Sequence, residues 1–183
     1  TCLVSAAAGG VGLLLVQIAK KLGATVIAMV GTQAKGDLAK QAGADHVIVY
    51  TETEFPPEVK KLTGGRGADV FYDSVGAQTF LPGLDSLRPR GMMVTYGNAS
   101  GPAPEIAPLL LNQKGSLFLT RPTLAHYAST RDELMWRSGD LFKWILDGSL
   151  TIRIGGEYKL ADTAQAQRDL ESRATTGKLI LEP

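Results

Sequence analysis

The stretch from Leu3 to Gly12 constrains the fold more than any other part of the chain. It reads Leu-Val-Ser-Ala-Ala-Ala-Gly-Gly-Val-Gly, an apolar strand followed by a turn that is nearly free of side chains. The dinucleotide fingerprint G-x-G-x-x-G places its second glycine where the backbone meets a pyrophosphate and its third where helix packs on strand. Gly9 and Gly12 occupy those two positions, whereas Ala7 replaces the first glycine. Because a turn that stays at negative φ accepts a methyl group, this departure weakens the motif without excluding it.

The residues after the turn predict a complete βαβ unit. Apolar side chains recur at three- and four-residue spacing from Val11 to Leu22, which predicts a helix with one apolar face. Gly23 ends this helix, and Ala24–Val30 has the continuous apolar sequence of a strand buried on both faces. Such a unit aims a helix N-terminus at an anion. The pattern therefore favours cofactor binding over an ordinary glycine-rich turn.

Composition excludes several classes of protein. The chain has 183 residues, of which 44% are hydrophobic and 20% charged, as in ordinary globular domains. The formal net charge is +1, without the basic excess of a dedicated nucleic-acid binder. No apolar run is long enough for a membrane span, and no signal peptide is visible. We therefore expect neither nucleic-acid nor membrane partners. Because Cys2 is the one cysteine, we expect a reducing, cytoplasmic location.

Strands and helices alternate along the first four fifths of the chain. Beyond the first unit, strands are predicted at His46–Val49, Ala68–Tyr72, Met92–Tyr96 and Ser116–Leu119. This alternation implies right-handed crossovers. The sequence therefore predicts an α/β protein with a doubly wound, mainly parallel six-stranded sheet, the Rossmann fold, which binds ligands outside the carboxyl ends of its strands.

A long helix and a tail of different rhythm follow. The capping-box pattern of Thr130 and Glu133 opens the helix, which should run to about Asp147. We expect its apolar stripe to face the core, through Leu134, Leu141, Phe142 and Ile145. The tail is predicted as strand, helix and strand, at Leu150–Ile154, Thr163–Ser172 and Leu179–Leu181.

Two domains of unequal size are therefore expected. Residues 1–149 would form a dinucleotide-binding domain, and residues 150–183 a C-terminal strand-helix-strand tail. Because the chain opens without methionine, inside a predicted strand, we also expect it to be a fragment of a longer protein.

The end of the second strand indicates which dinucleotide is favoured. Enzymes selective for NAD usually place an acidic residue there, which bonds the ribose 2′-hydroxyl. Here the sequence is Val-Gly-Thr-Gln over residues 30–33, and the first carboxylate, Asp37, lies inside the next helix. Lys35 and Tyr50 would instead meet a 2′-phosphate, although each alone would also suit a surface position. The pattern favours NADPH.

Motifs along the whole chain resemble those of one family, the NADPH-dependent quinone oxidoreductases of the zeta-crystallin type, in the medium-chain dehydrogenase/reductase superfamily. The matching stretches are Ala6–Gly12, Val30–Thr32 with Lys35, Tyr72–Gly76, Tyr96–Gly101, Leu111–Leu117, Thr120–Pro122 and Leu170–Thr175. Asn112–Ser116 and Thr120–Pro122 are specific to this subgroup, in which alanine at position 7 is also usual.

The resemblance implies a set of cofactor contacts. It places Gly10 and Val11 at the pyrophosphate, next to Gly9 of the fingerprint, and Lys35 and Tyr50 at the 2′-phosphate, with Gly31 and Thr32 in the same loop. It places Val75, Tyr96, Gly97 and Asn98 at the ribose and nicotinamide, Thr120 and Arg121 at the nicotinamide end, and Arg173 on the phosphates. The chain would be the cofactor-binding part of such an enzyme. The tail would return to a GroES-like substrate domain that this chain lacks.

The resemblance also implies an activity and an assembly. NADPH would transfer a hydride to a quinone or another conjugated carbonyl acceptor without zinc, in a homodimer that pairs the strand Ser116–Leu119 across a two-fold axis. No catalytic acid or base is assigned, since Tyr96 is better explained as a packing residue than as a proton donor. Cys2, His46 and His126 match no spacing of zinc ligands.

Three other functions stay open at the level of sequence. The first is an enoyl or alkenal reductase of the same superfamily, including the enoyl-reductase unit of a larger synthase. The second is a crystallin-like structural or RNA-binding protein. The third is the core of a zinc alcohol dehydrogenase, which would prefer NAD and contain metal.

Overall fold

The computed structural model describes residues 1–183, that is, the whole chain. The strands are β1 (Cys2–Val4), β2 (Val26–Val30), β3 (His46–Val49), β4 (Ala68–Asp73), β5 (Leu87–Thr95), β6 (Phe118–Thr120), β7 (Ile154–Lys159) and β8 (Lys178–Glu182). The α-helices are α1 (Gly12–Lys21), α2 (Gln33–Gln41), α3 (Phe55–Leu62), α4 (Phe80–Asp85), α5 (Pro108–Gln113), α6 (Leu124–Tyr127), α7 (Arg131–Leu146) and α8 (Thr163–Glu171). A 3₁₀ turn at Leu160–Asp162 precedes α8.

The first six strands form one parallel sheet in the order β3-β2-β1-β4-β5-β6. Strand β1 lies at the centre, with Leu3 aligned to Ile27 of β2 on one side and to Phe71 of β4 on the other. The strand order reverses between β1 and β4, which is the switch point where ligands bind in such sheets. The predicted Rossmann architecture is confirmed.

Two apolar layers cover the faces of this sheet. Because side chains alternate along a strand, Leu3 and Val4 enter different layers. The Leu3 layer contains Phe71 and the α3 and α4 side chains. The Val4 layer contains the α1 and α2 side chains. Each fully buried large apolar side chain contributes about 1.5–3 kcal/mol of transfer free energy, so these layers hold the strand ends in place.

Helix α1 buries a face that overlaps in part with the one that its spacing predicted. Gly12, Leu13 and Val16 are its buried residues. Leu15 and Ala19 of the predicted face pack against the Val4 layer. Val11 and Leu22, which the pattern also assigned to that face, are the cap residues of the helix and are 49% and 73% exposed.

Helix α7 does not face a core in this chain. The predicted capping box is present, since Thr130 accepts from the Glu133 backbone N–H and Glu133 accepts from the Thr130 backbone N–H. However, none of the helix's residues is buried, and Phe142 of the expected core stripe is 63% exposed. The prediction of a core-facing stripe is wrong because no element of this chain covers that face.

The tail forms a separate two-stranded parallel sheet of β7 and β8, with α8 between them in sequence. Its first strand begins at Ile154, later than the predicted Leu150–Ile154. Leu150 is instead buried beside the end of α7, where its N–H bonds the carbonyl oxygen of Trp144. The strand itself contains Gly155 and Gly156, which carry little strand propensity and so gave no sequence signal.

No helix of the chain is long and apolar enough to cross a membrane.

Candidate functional site

The turn after β1 has the geometry of a phosphate-binding turn. Ala6 adopts a positive φ of 47°, whereas Ala7 does not, so the methyl group at the first fingerprint position is accommodated as predicted. Gly12 is required by close packing, because a Cβ there would lie 2.2 Å from the carbonyl oxygen of Ala6. Gly9 and Gly10, which precede the helix start at Gly12, line a cleft, so the N-terminus of α1 lies beside it.

The end of β2 carries a cation and no acid. Thr32 caps α2 by accepting from the backbone N–H of Lys35 at 3.4 Å, and the hydroxyl of Thr51 donates to the carbonyl oxygen of Gly31 at 2.9 Å. Lys35 forms no salt bridge, and its ammonium donates to the backbone carbonyl of Arg173. Asp37 is bonded by Gln33 on the exposed side of α2.

The turn after β1 and the end of β2 both line one cleft of about 190 Å³. It brings together the predicted cofactor residues Gly9, Gly10, Gly31, Lys35, Tyr50, Val75 and Arg173. It also includes residues that sequence reasoning did not assign, namely Ala6, Ala8, Val30, Ala99, Leu170, Thr175 and Gly177. The lining contains two basic side chains, Lys35 and Arg173, and no carboxylate. Its charge therefore suits an anionic ligand.

The tail closes one side of the cleft. The N–H of Gly177 bonds the carbonyl oxygen of Ala8 at 3.1 Å, and Gly9 and Gly177 form an isolated parallel bridge. A Cβ on Gly10 would lie 2.9 Å from the carbonyl oxygen of Gly177, so the tail reaches the phosphate turn itself. The Arg173 guanidinium donates to the carbonyl of Ala99, in the loop after β5.

A buried carboxylate shapes the next loop along the sheet edge. Asp73, at the end of β4, is fully buried and accepts from the hydroxyls of Ser5 and Thr79 at 2.9 and 2.8 Å. It also accepts from the backbone N–H groups of Val75 and Gly76 at 3.0 and 3.2 Å. Four donors compensate for burying the charge. Sequence reasoning gave Asp73 no role, although an acid directly after a strand and before a glycine was the available signal.

Most of the remaining predicted residues lie at the ends of β5 and β6, outside the cleft that Lys35 and Arg173 line. Arg121 joins the two strand ends, since its Nη1 donates to the carbonyl oxygen of Gly97 at 3.2 Å. Burial raises the pKa of the Tyr96 hydroxyl, which therefore stays protonated at neutral pH. Asn98 and Arg121 line a separate cavity, and Thr120 ends β6. Val11, at the start of α1, and Thr32 also lie outside the lining of the cleft.

The candidate metal ligands do not form a cluster. No group of three or more histidine, cysteine or acidic side chains is arranged to hold a metal ion. Cys2 is buried in β1, and burial raises the pKa of its thiol. His46 begins β3 and His126 lies in α6, at the opposite edge of the sheet.

Comparison with known proteins agrees with this geometry. The family model described as zinc-binding dehydrogenase matches residues 10–136. The quinone oxidoreductase of Salmonella typhimurium is 47% identical over 180 residues, which are 97% of this chain and 55% of the relative. The 2-haloacrylate reductase of a Burkholderia species is 43% identical over 182 residues, 99% of this chain and 55% of the relative.

A solved structure shows the same relationship. Escherichia coli quinone oxidoreductase in complex with NADPH has a TM-score of 0.96 and 46% identity, and the match covers 100% of this chain and 56% of that chain. The chain thus spans about half the length of the relatives that it matches. The expected resemblance to the cofactor-binding part of quinone oxidoreductases is confirmed, and the chain belongs to the zinc-binding dehydrogenase family.

Proposed function

We propose that this chain is the cofactor-binding part of an NADPH-dependent oxidoreductase that reduces quinones or other conjugated carbonyl compounds. The observation that carries the proposal is the cleft at the end of β2, whose lining includes Lys35, Tyr50 and Arg173 and no carboxylate. Similarity to quinone oxidoreductases, one of them in complex with NADPH, supports it.

The residues of the cleft fit a phosphorylated dinucleotide. Glycines at positions 9 and 10 leave the turn open to a pyrophosphate beside the N-terminus of α1, whose macrodipole favours an anion. Lys35 and the Tyr50 hydroxyl would hold the 2′-phosphate, with Gly31 and Thr32 shaping the loop. Arg173 would reach the phosphates from the tail, and Val11 would contact the pyrophosphate from the first turn of α1.

The nicotinamide would lie at the ends of β4, β5 and β6. Val75 would contact the ribose and the ring, and the segment Tyr96–Asn98 with Thr120 and Arg121 would orient the carboxamide end. The bound cofactor supplies a hydride from nicotinamide C4, and this chain contributes position and electrostatics. Holding the two reactants in place can contribute on the order of 7–11 kcal/mol of barrier reduction. We propose no catalytic acid or base in this chain.

A longer protein is part of the proposal. Residues 1–149 would be the dinucleotide-binding domain, and the tail from residue 150 would return to a GroES-like substrate domain that precedes this chain. The uncovered apolar face of α7 supports this arrangement, since no residue of that helix is buried here. Activity independent of zinc is proposed from the subgroup that the chain resembles, and a cytoplasmic location from its single cysteine.

Dimerisation is proposed through β6, the edge strand of the sheet. Phe118 on this strand is 58% exposed, and Leu109 of the adjacent helix α5 is also exposed. Pairing of β6 with its copy across a two-fold axis would satisfy the open edge and cover these apolar side chains.

A second activity is favoured by one specific comparison. Because the chain is 43% identical to a 2-haloacrylate reductase, reduction of a conjugated alkene is the alternative. The experiment is to follow NADPH oxidation by the longer protein with 1,4-benzoquinone, 2-chloroacrylate and an enoyl thioester, before and after dialysis against a chelator. Turnover of the quinone that survives dialysis supports the proposal. Turnover of 2-chloroacrylate or the thioester alone selects the alternative, and NADPH binding without any turnover contradicts both.

A further inference from the structure

Asp73 is a buried carboxylate to which the proposed cofactor contacts give no role. The residue is 0% exposed, and it does not line the cleft that contains Lys35 and Arg173. Because the carboxylate has no surface in that cleft, it does not contact a dinucleotide bound there. Any effect of Asp73 on the cofactor therefore passes through the groups that it binds.

The two oxygens of this carboxylate have different partners. Oδ1 accepts three hydrogen bonds, from the Ser5 hydroxyl at 2.9 Å, the Thr79 hydroxyl at 2.8 Å and the Val75 backbone N–H at 3.0 Å. Oδ2 accepts one hydrogen bond, from the backbone N–H of Gly76 at 3.2 Å. An ionised carboxylate accepts at both oxygens, whereas an amide has one acceptor oxygen and one donor group. An asparagine here would therefore leave one set of donors without an acceptor.

Ser5 links Asp73 to the turn that is proposed to hold the pyrophosphate. Ser5 directly follows β1 and is 1% exposed. Its hydroxyl donates to Asp73 and accepts from the backbone N–H of Ser74 at 2.8 Å. Its backbone N–H donates to the carbonyl oxygen of Tyr72 at 3.0 Å. The start of the phosphate turn is therefore fixed to the end of β4 by side-chain as well as backbone hydrogen bonds.

Val75 and Gly76 connect Asp73 to the loop after β5. The backbone N–H of Ser100 donates to the carbonyl oxygen of Val75 at 2.7 Å. Gly76 adopts a φ of 88°, and a Cβ there would lie 2.3 Å from the carbonyl oxygen of Gly101. The two loops are thus in direct backbone contact. The loop after β5 begins with Tyr96–Asn98, the segment that the proposed function places at the nicotinamide.

We infer that Asp73 is a positioning residue, which holds the nicotinamide side of the cofactor site in register with the phosphate turn. This inference rests on the proposed function. Asp73 orients Val75 and Gly76, and these residues contact the loop after β5. Lys35 and Tyr50, at the proposed 2′-phosphate site, make no hydrogen bond to Asp73 or to its four partners. A change at Asp73 should therefore affect the two halves of the cofactor unequally.

The test is calorimetric titration of the protein with NADPH and with adenosine 2′,5′-bisphosphate, which carries the adenosine and 2′-phosphate of NADPH without the nicotinamide. In Asp73→Asn the amide oxygen keeps the three donors of Oδ1, so the amide nitrogen replaces Oδ2 and faces the N–H of Gly76. We expect this variant to bind NADPH about tenfold more weakly and the bisphosphate with unchanged affinity. Asp85→Asn is the matched control, because that carboxylate is partly exposed and pairs with Lys114, and neither affinity should change.

Thr79→Val is a second variant, which decides the question if Asp73→Asn does not fold. Valine keeps the shape of threonine and removes one of the three donors on Oδ1. We expect it to weaken NADPH binding about threefold, the effect of one lost hydrogen bond, and to leave bisphosphate binding unchanged.

The outcomes separate this inference from the proposed function. Failure of the wild type to bind either ligand would contradict the proposed function and the inference together. Two results would overturn the inference while the 2′-phosphate site stands: equal wild-type affinities for NADPH and the bisphosphate, or an advantage of NADPH that both variants retain. Equal losses of the two ligands in the variants would indicate a general effect on the fold and would also overturn it.

Discussion

The ammonium of Lys35 donates a hydrogen bond to the backbone carbonyl of Arg173, although 138 residues separate the two in sequence. This contact joins the first turn of α2 to the loop after α8, and the Arg173 side chain continues across the cleft to Ala99. Two cations from distant segments therefore line the cleft that includes the end of β2. Their convergence is the structural basis for proposing a 2′-phosphate site there.

Replacing Gly31 tests the charge argument at this position. The site has room, because a Cβ on Gly31 would be 3.4 Å from the Tyr50 hydroxyl oxygen, an ordinary contact. We expect Gly31→Asp to weaken NADPH binding at least about tenfold by repelling the 2′-phosphate, while NADH binding is kept or improved. Gly31→Asn is the uncharged control and should retain the NADPH preference. Equal losses for both variants would indicate a steric effect and contradict the charge argument.

Gly12 is predicted to be the least replaceable glycine of the phosphate turn. An added Cβ would overlap the carbonyl oxygen of Ala6 at 2.2 Å and the Cα of Ala7 at 2.7 Å. We expect Gly12→Ala to lower the free energy of unfolding by about 2 kcal/mol or more. Urea unfolding measures this. Gly139→Ala in α7 is the control, because nothing lies within 4 Å of the new methyl group and helix propensity should raise stability by about 0.5–1 kcal/mol.

The free energy of unfolding should fall in acid because Asp69 becomes protonated and loses its ion pairs. The Arg66 guanidinium bonds this carboxylate at 3.0 and 2.7 Å, and Arg88 adds a bond at 2.6 Å. These partners, Arg66 first, hold the pKa of Asp69 well below its usual range. Because the folded-state pKa is depressed, the stabilisation is fully present above the unfolded-state pKa of about 3.9 and is lost as pH falls toward the folded value.

The matching variant is Asp69→Asn. Near neutral pH it should be less stable than the wild type by about 1 kcal/mol, a figure reduced for the partial exposure of the pair. The difference should shrink steadily below about pH 4 in unfolding experiments. A difference that stays constant from pH 7 to pH 2 would show that the amide is costly for another reason, such as lost packing.

A single charge introduced on β6 should dissociate the proposed dimer. Phe118→Asp would place a carboxylate at the centre of the β6 pair, where burial without a partner is strongly unfavourable. Light scattering with size-exclusion chromatography should then report a monomer in place of a dimer. Leu22→Asp, at an equally exposed apolar position far from β6, should leave the mass unchanged. A wild-type monomer would remove the dimer proposal.

The sequence predicted the fold well where one local signal decided the outcome. The glycine pattern from Gly9 to Gly12, the alternation of strands and helices and the Thr130 capping box all specify backbone geometry directly, and all are found. The apolar face of α1 was predicted only in part, because Val11 and Leu22 are cap residues and because Gly12, which periodicity does not mark, packs closely against Ala6. The prediction for the α7 stripe was wrong because apolar spacing identifies the apolar side of a helix but does not show which element packs against it.

The candidate site was predictable where its residues directly follow strands. Lys35 and Tyr50 follow strand ends, and parallel strands bring such ends to one edge. Arg173 entered through resemblance alone, since its approach depends on the tail crossing the turn at Gly177. The Asp73 network depends on a contact between segments 68 residues apart, so its one signal in the sequence was an acid between a strand and a glycine.

The most direct test of the account is a titration of the protein with NADPH and NADH, in the wild type and in Lys35→Ala, followed by energy transfer from protein to nicotinamide fluorescence. Lys61→Ala is the control, because the Lys61 side chain is 75% exposed and makes only a surface pair with Glu58. We predict that NADPH binds the wild type and the control at least tenfold more tightly than NADH, about 1.4 kcal/mol, and that Lys35→Ala loses this preference while its affinity for NADH is unchanged. Equal affinities for the two cofactors in the wild type, or a preference that survives in Lys35→Ala, would contradict the assignment of the cleft as a 2′-phosphate site.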